Sequence, residues 1–443
     1  MSTYNDPREL LNQAPMGAFQ IMAVTICIFL NGLDGFDIQA ISFAAPGITA
    51  DWGINRAALG VVLSMELFGM AVGSVFFGGM ADKSGRRPTI LICLVLMAVG
   101  MYAASLTNSV SQMLVARFVT GLGIGGMLAT TNPMAAEYSN LKNRSLAVIF
   151  MATGYPLGAI IGGSVSTVLL QTSDWRAIFE FGAAVTAFFI IIVWFFLPES
   201  VDYLSSKQPE NALDKINRIL KKMGHAAVSQ LPAKIEETQK AISYQVLFND
   251  RFRALTLLLV IGYFTHIMTF YYILKWIPTI VVDMGYEPST AGTVLVWANV
   301  GGAIGALLLG IISTKYNLRK MLIAILIVAF FMVSFFGFER ETIGDLSLIA
   351  AMTGFFTNGG VVGFYALIAN AFPADIRGSG TGVVIGVGRG GAALGPVVAG
   401  LLFVAGFNLL AVSIVMGAGA AIAAVAIYFL RPAAEKHNVK ANI

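Results

Sequence analysis

Asp34 and Asp37 lie three positions apart in Leu33-Asp34-Gly35-Phe36-Asp37, inside an otherwise apolar run. On a helix, residues at that spacing share a face. A carboxylate surrounded by hydrocarbon costs several kcal/mol unless it is paired, hydrated or protonated. Two together also repel, so the pair suits a site that takes up and releases a proton. The alternative is that one of them, Asp34, only braces its helix through a hydrogen bond. Arg389, in Gly388-Arg389-Gly390, cannot shed its charge. Its planar fork fits a carboxylate at two points, and the flanking glycines leave room for a ligand. The alternative is a permanent ion pair with Asp34, Asp37 or Glu66.

Arg117, Glu66, His266 and Lys275 also fall within apolar runs. Glu66 lies about ten residues into its run, about 15 Å deep on a helix, and reads as a second proton site or the partner of an arginine. His266 sits among Tyr263, Phe264, Phe270, Tyr271 and Tyr272. That neighbourhood suits stacking on an aromatic ring with the imidazole donating to a hydroxyl, whereas a lone histidine can equally be a hydrogen-bonded core group. Lys275 is nearer a run's end, where snorkelling to the interface is expected. Tyr365, Asn358 and Asn299 are polar lining or interhelical ties.

These residues need an unusual carrier. Apolar residues make up 57% of the 443 and charged residues only 12%, with a mean hydropathy of +0.78. A soluble domain carries about a quarter charged residues, so a water-soluble fold is excluded. The net charge of +4 resides at run ends, where topology explains it better than anionic partners. Cys27 and Cys93 both lie in apolar runs and read as small buried hydrophobes, with no disulfide or metal set. Met1 to Pro15 is polar and lacks the layout of a cleaved signal peptide.

A span needs about 20 apolar residues. Such runs occur near 17–45, 57–80, 88–106, 109–133, 144–170 and 175–197, then near 254–282, 290–313, 320–338, 345–371, 378–404 and 406–430. The expected fold is an all-α membrane protein: twelve transmembrane helices in two pseudo-symmetric six-helix bundles, 1–198 and 254–443, joined by a cytoplasmic loop over 199–253. Lys83, Arg86, Arg87, Lys142, Arg144, Arg319, Lys320, Arg377 and the basic residues of 199–253 then share one side, against Arg56, Arg176 and Arg340 on the other. That asymmetry places both termini in the cytoplasm. Gly78-Gly79-Met80-Ala81-Asp82-Lys83 aligns with Gly310-Ile311-Ile312-Ser313-Thr314-Lys315, and Arg144 with Arg377 at nearly the same offset. Duplicated halves around a central site follow. Leu213, Ile216, Ile219 and Leu220 among charges predict a short surface helix in the central loop.

Gly78 to Arg87, with Pro198-Glu199-Ser200 closing the sixth run, resembles the major facilitator superfamily over nearly the whole chain. In such a loop Gly79, Asp82, Gly85, Arg86 and Arg87 are expected to form a conformational latch; plain positive-inside anchoring is the alternative. The second copy departs, with Thr314 in place of the aspartate. Arg117-Phe118-Val119-Thr120-Gly121-Leu122-Gly123 resembles that superfamily's proton-coupling motif, and Gly154-Tyr155-Pro156-Leu157-Gly158 its fifth-span Gly-Pro motif. Leu33 to Asp37 and Gly388-Arg389-Gly390, followed by Gly395-Pro396, resemble the aromatic acid:proton symporter family of bacteria.

The resemblance implies import of a benzoate-type acid across the bacterial inner membrane, driven by protons, by a monomer with no cofactor and no nucleic-acid partner. Arg389, Asp37, His266, Tyr263, Tyr271, Tyr365 and Asn358 would form the substrate site; Asp34, Asp37, Arg117 and Glu66 would carry the proton. Rivals are an aliphatic carboxylate symporter, a proton-driven drug exporter and a non-transporting receptor, which would need an appended signalling domain. No nucleophile triad, metal cluster or phosphate loop is visible, which argues against catalysis and ATP hydrolysis.

Overall fold

The computed structural model describes residues 6–232, 244–312, 316–338, 340, 342–373 and 376–430. A short α1 (Pro7–Gln13) starts at Asp6, whose carboxylate accepts from the Arg8 backbone N–H at 2.8 Å. Six long helices follow: α2 (Ala18–Trp52), α3 (Arg56–Ser84), α4 (Arg86–Ser105), α5 (Val110–Glu137), α6 (Arg144–Leu169) and α7 (Arg176–Phe196). Then come α8 (Val201–Lys207) and α9 (Ala212–Lys222). A second set of six comprises α10 (Arg253–Asp283), α11 (Pro288–Ile312), α12 (Leu318–Phe336), α13 (Ile343–Ala371), α14 (Arg377–Val404) and α15 (Leu409–Phe429).

Twelve of these helices are long and apolar enough to cross a membrane, so the chain is an integral multi-pass membrane protein. They match the twelve expected runs. The first extends past the expected 45 to Trp52, with Pro46 inside it. Its end is held because Trp175 donates Nε1 to Asp51 at 3.1 Å and packs edge-on against Trp52. Helix α9 is the expected surface helix, burying Ala212, Ile216, Ile219 and Leu220 and exposing Lys215 and Arg218. Ser313, Thr314 and Lys315 of the second loop copy lie outside the described residues.

The chain forms two compact units. One comprises 1–38, 69–162 and 176–238; the other comprises 39–68, 163–175 and 239–443. Helices α2, α3 and α6 each contribute to both.

Within the first unit the α3–α4 turn is fixed by Gly85, whose φ of 103° lies where a side chain is strained. The Glu199 carboxylate sits at the start of α4. Its Oε1 accepts from the backbone N–H groups of Arg86 at 2.9 Å, Arg87 at 3.2 Å and Ser200 at 2.8 Å. A carboxylate there satisfies donors that no helix turn can reach and meets the positive end of the helix dipole. Burial nevertheless pushes the Glu199 carboxyl up, against the pull of those N–H groups. Arg86 pairs with Glu137 at 2.5 Å, and Arg87 donates to the Trp194 carbonyl at 2.5 Å while lying over its ring. Asp82 is exposed.

Replacing Glu199 with Ala would leave three backbone N–H groups without that acceptor. A loss of about 1.5–3 kcal/mol is expected, the range for a hydrogen bond to a charged group, read as a lower unfolding temperature in detergent. Glu199→Gln keeps an acceptor and should lose less.

Candidate functional site

The acid pair of the first unit is positioned by glycine. A Cβ on Gly35 would lie 2.0 Å from the Tyr155 carbonyl oxygen, and one on Gly158 would lie 1.8 Å from that of Gly32. Only bare backbone lets α2 and α6 approach so closely. The fifth-span glycines noted in the sequence therefore serve helix packing. This contact fixes the rotation of α2, and Asp34 and Asp37 are both fully buried.

Neither carboxylate has a hydrogen-bond partner among the described residues. Arg117 of α5 reaches the same place. Its Nη2 donates to the Asp37 backbone carbonyl at 2.8 Å, its Nη1 lies 3.0 Å from Met101 Sδ, and its guanidinium stands over the Phe179 ring at 5.4 Å. The cation thus stays close to Asp37 while bonding its main chain. Such a group can favour the charged carboxylate without a fixed salt bridge. Met101 and Phe179 escaped the sequence reading because nothing in an apolar run distinguishes the residue that supports a buried cation.

The second unit holds the aromatic cluster. His266 is fully buried, stacks on Phe364 with ring centroids 5.7 Å apart, and bonds through Nε2 to the Thr357 carbonyl at 2.9 Å. A carbonyl only accepts, so the ring proton sits on Nε2 and Nδ1 remains an acceptor. His266 would therefore accept from a hydroxyl, where the sequence suggested donation. Tyr263 is buried and its hydroxyl lies 3.3 Å from that of the exposed Tyr365. Its ring lies against Gly388, where a Cβ would come within 2.1 Å. Arg389, next in sequence, is half-buried. Asn358 donates Nδ2 to the Gly302 carbonyl at 2.9 Å, tying α13 to α11. Tyr271 meets Phe270 edge-on.

Two expectations change. Lys275 does not snorkel: it is fully buried and paired with Glu66, also fully buried. The apolar length of α10 beyond it, together with a carboxylate on α3, makes pairing preferable to reaching for water. Glu66 thus has a lysine partner, where the sequence left it as a second proton site or the partner of an arginine. The sequence reading also missed a reciprocal amide pair. Gln39 Nε2 donates to Asn299 Oδ1 and Asn299 Nδ2 to Gln39 Oε1, both at 2.7 Å. The signal was a glutamine two positions past Asp37 in an apolar run.

Comparison with known proteins extends these observations. The sequence profile of the Major Facilitator Superfamily matches residues 27–339 and 259–443. The gallate transporter of Pseudomonas putida is 29% identical over 425 residues, 95% of this chain and 94% of that protein. The 4-hydroxybenzoate transporter PcaK of Pseudomonas aeruginosa is 29% identical over 429 residues, 95% of each. The benzoate transport protein of Acinetobacter baylyi is 25% identical over 413 residues, 91% of this chain and 87% of that protein. Among solved structures, the xylose transporter XylE from E. coli superposes with a TM-score of 0.70 at 16% identity, covering 93% of this chain and 96% of that one. That likeness establishes the fold.

The α2–α6 contact makes a sharp prediction. Gly35→Ala should push α2 from α6 and displace the acid pair, lowering thermal stability by at least about 1–3 kcal/mol, the range for overpacking. Gly53→Ala, where a Cβ would meet nothing within 4 Å but φ is +60°, gives a control that strains the backbone alone.

Proposed function

The chain belongs to the Major Facilitator Superfamily, a family of transporters and not of enzymes, and from that premise we propose that it imports a small aromatic carboxylate together with a proton. The observation that carries this reading is the run of relatives aligned along nine-tenths of the chain, whose names specify gallate, 4-hydroxybenzoate and benzoate. The buried ionisable groups agree with it, because a membrane span holds such groups at a cost and function is the usual reason.

In this reading Arg389 holds the carboxylate through its planar fork. Tyr263, Tyr271 and Tyr365 face the ring, and His266 accepts from a ring hydroxyl through Nδ1. Asn358 contributes a polar wall. In the first unit Asp34 and Asp37 take and release the proton, with Arg117 as the neighbouring cation that biases the step. Gly79, Asp82, Gly85, Arg86 and Arg87 act as a latch at the inner ends of α3 and α4. The site is exposed to the two membrane faces in turn by movement of six-span halves, 1–198 and 254–443, joined by 199–253. The protein works as a monomer in the bacterial inner membrane. The surplus of Lys and Arg on one side supports cytoplasmic termini.

Uptake of labelled aromatic and aliphatic acids by proteoliposomes tests the substrate and the driving force together. An inward proton gradient should accelerate uptake of the aromatic acids, and a protonophore should abolish accumulation. Accumulation that survives the protonophore and follows sodium would sink the proton claim.

Arg389→Lys should weaken acid binding by roughly ten- to a hundredfold, corresponding to about 1.5–3 kcal/mol, since an ammonium cannot reproduce two planar contacts. An ester of the same acid should lose little. An equal loss for acid and ester, in calorimetric titration of variants with parental stability, removes Arg389 from the site.

A further inference from the structure

The Glu66–Lys275 pair sits where α3, α10 and α14 pack closely in the second unit. It joins α3 to α10 within the second unit, with both side chains fully buried. Trp276, the next residue, donates Nε1 to the Pro396 carbonyl of α14 at 3.2 Å. Gly60 of α3 packs on the same carbonyl, where a Cβ would lie 2.6 Å away. Farther along the same two helices Arg56 pairs with Asp283. In the part of α3 belonging to this unit, Arg56 is the other charged residue. The interior of α10 adds His266 and its tyrosines, α14 contributes Arg389, and the α2 segment has Asp51, which is held by Trp175. Helices α11 and α15 carry no charged side chain.

A buried ammonium is far more costly alone than in its pair. If Glu66 leaves Lys275, the ammonium must either give up its proton or meet another anion, and an arriving carboxylate supplies that anion. Glu66 itself can leave as a neutral acid by taking a proton, an option Lys275 lacks while it holds an anion. We propose that Lys275 is a binding cation for the substrate carboxylate, which displaces Glu66 as Glu66 takes up a proton. The proposal rests on the carboxylate-import reading above. One N–H···O contact breaks at Glu66 and one forms to the substrate, while a proton from solution makes an O–H bond on Glu66. The net charge of the buried site is unchanged, so Glu66 takes one proton for each acid anion that Lys275 binds, beside the proton step at Asp34 and Asp37.

With the termini cytoplasmic, Lys275 lies about two turns before the outer end of α10, and Arg389 lies near the middle of α14. Lys275 meets the entering acid first and Arg389 holds it afterwards. When the acid moves on, the pair re-forms and Glu66 releases its proton.

The test compares the parent with Glu66→Gln, Lys275→Gln and the double Gln variant. The probes are benzoate and methyl benzoate, titrated from mildly acid to mildly alkaline pH, with benzoate uptake in proteoliposomes alongside. Glu66→Gln mimics the protonated acid. It should bind benzoate at least about tenfold tighter than the parent at alkaline pH and show a weaker pH dependence of binding than the parent; it should exchange benzoate without accumulating it. The double variant carries no unpaired charge and should fold. It should lose at least about tenfold in benzoate affinity, with methyl benzoate unaffected. A double variant that accumulates benzoate like the parent, or a Glu66→Gln protein that keeps the parent's pH dependence, reduces the pair to a structural tie. A parent that accumulates a different carboxylate overturns the aromatic reading alone, and the same variant pattern is then expected with that acid. A parent that takes up no carboxylate overturns both.

Discussion

A guanidinium at the position of Arg117 has no water to turn to, and the arrangement of the first unit follows from that constraint. Arg117 is fully buried on α5, so α2 must present a carbonyl, α4 a sulfur and α7 an aromatic face to the same point. Four helices are placed by one side chain. The acceptor on α2 is the main chain of Asp37 and not its carboxylate, which leaves the acid near a positive charge without committing it to a permanent bond. Had Arg117 gripped the carboxylate itself, a proton would have had to compete with a charge-assisted hydrogen bond in a medium of low polarity, where such bonds are strong.

Bare backbone supplies the second requirement. Lipid gives helices no hydrophobic reason to associate, so close van der Waals approach must provide it. Gly32 and Gly35 on α2 face Gly154 and Gly158 on α6, and the second unit repeats the device where Gly301 meets the Ala351 carbonyl and Gly354 that of Ala298. The first of these contacts holds the acid pair and the second ties α11 to α13. Apolar contact without shape would permit rotation of each helix about its axis; glycine against carbonyl does not.

The fold was legible because its signals are long. Twelve runs near the required length survive errors of several residues at their ends, as α2 illustrates by continuing through Pro46 to Trp52. The acid pair, Arg117, Arg389 and Glu66 were also visible, since an ionisable residue in an apolar run stands out against its neighbours. Partnership was not visible. Glu66 and Lys275 are far apart in sequence, and neither periodicity nor composition indicates that their helices meet. The same holds for Gln39 with Asn299 and for His266 with the Thr357 carbonyl. Sequence patterns report which face of a helix is unusual; which neighbour answers that face depends on how helices far apart in the chain are packed.

The Gln39–Asn299 pair carries a consequence for how such chains can diverge. Each amide uses one N–H and its carbonyl on the other, so the two residues form a closed ring of two hydrogen bonds. An aspartate in place of Asn299 would set oxygen against oxygen, an apolar residue at 299 would strand both groups of Gln39, and one at 39 would strand the Asn299 carbonyl while its Nδ2 kept the Leu295 carbonyl. Single steps of these kinds therefore pass through a poorer intermediate, and the two positions are expected to change together. A chimera that takes residues 1–198 from this chain and the remainder from a relative inherits half of a lock whose other half was shaped elsewhere.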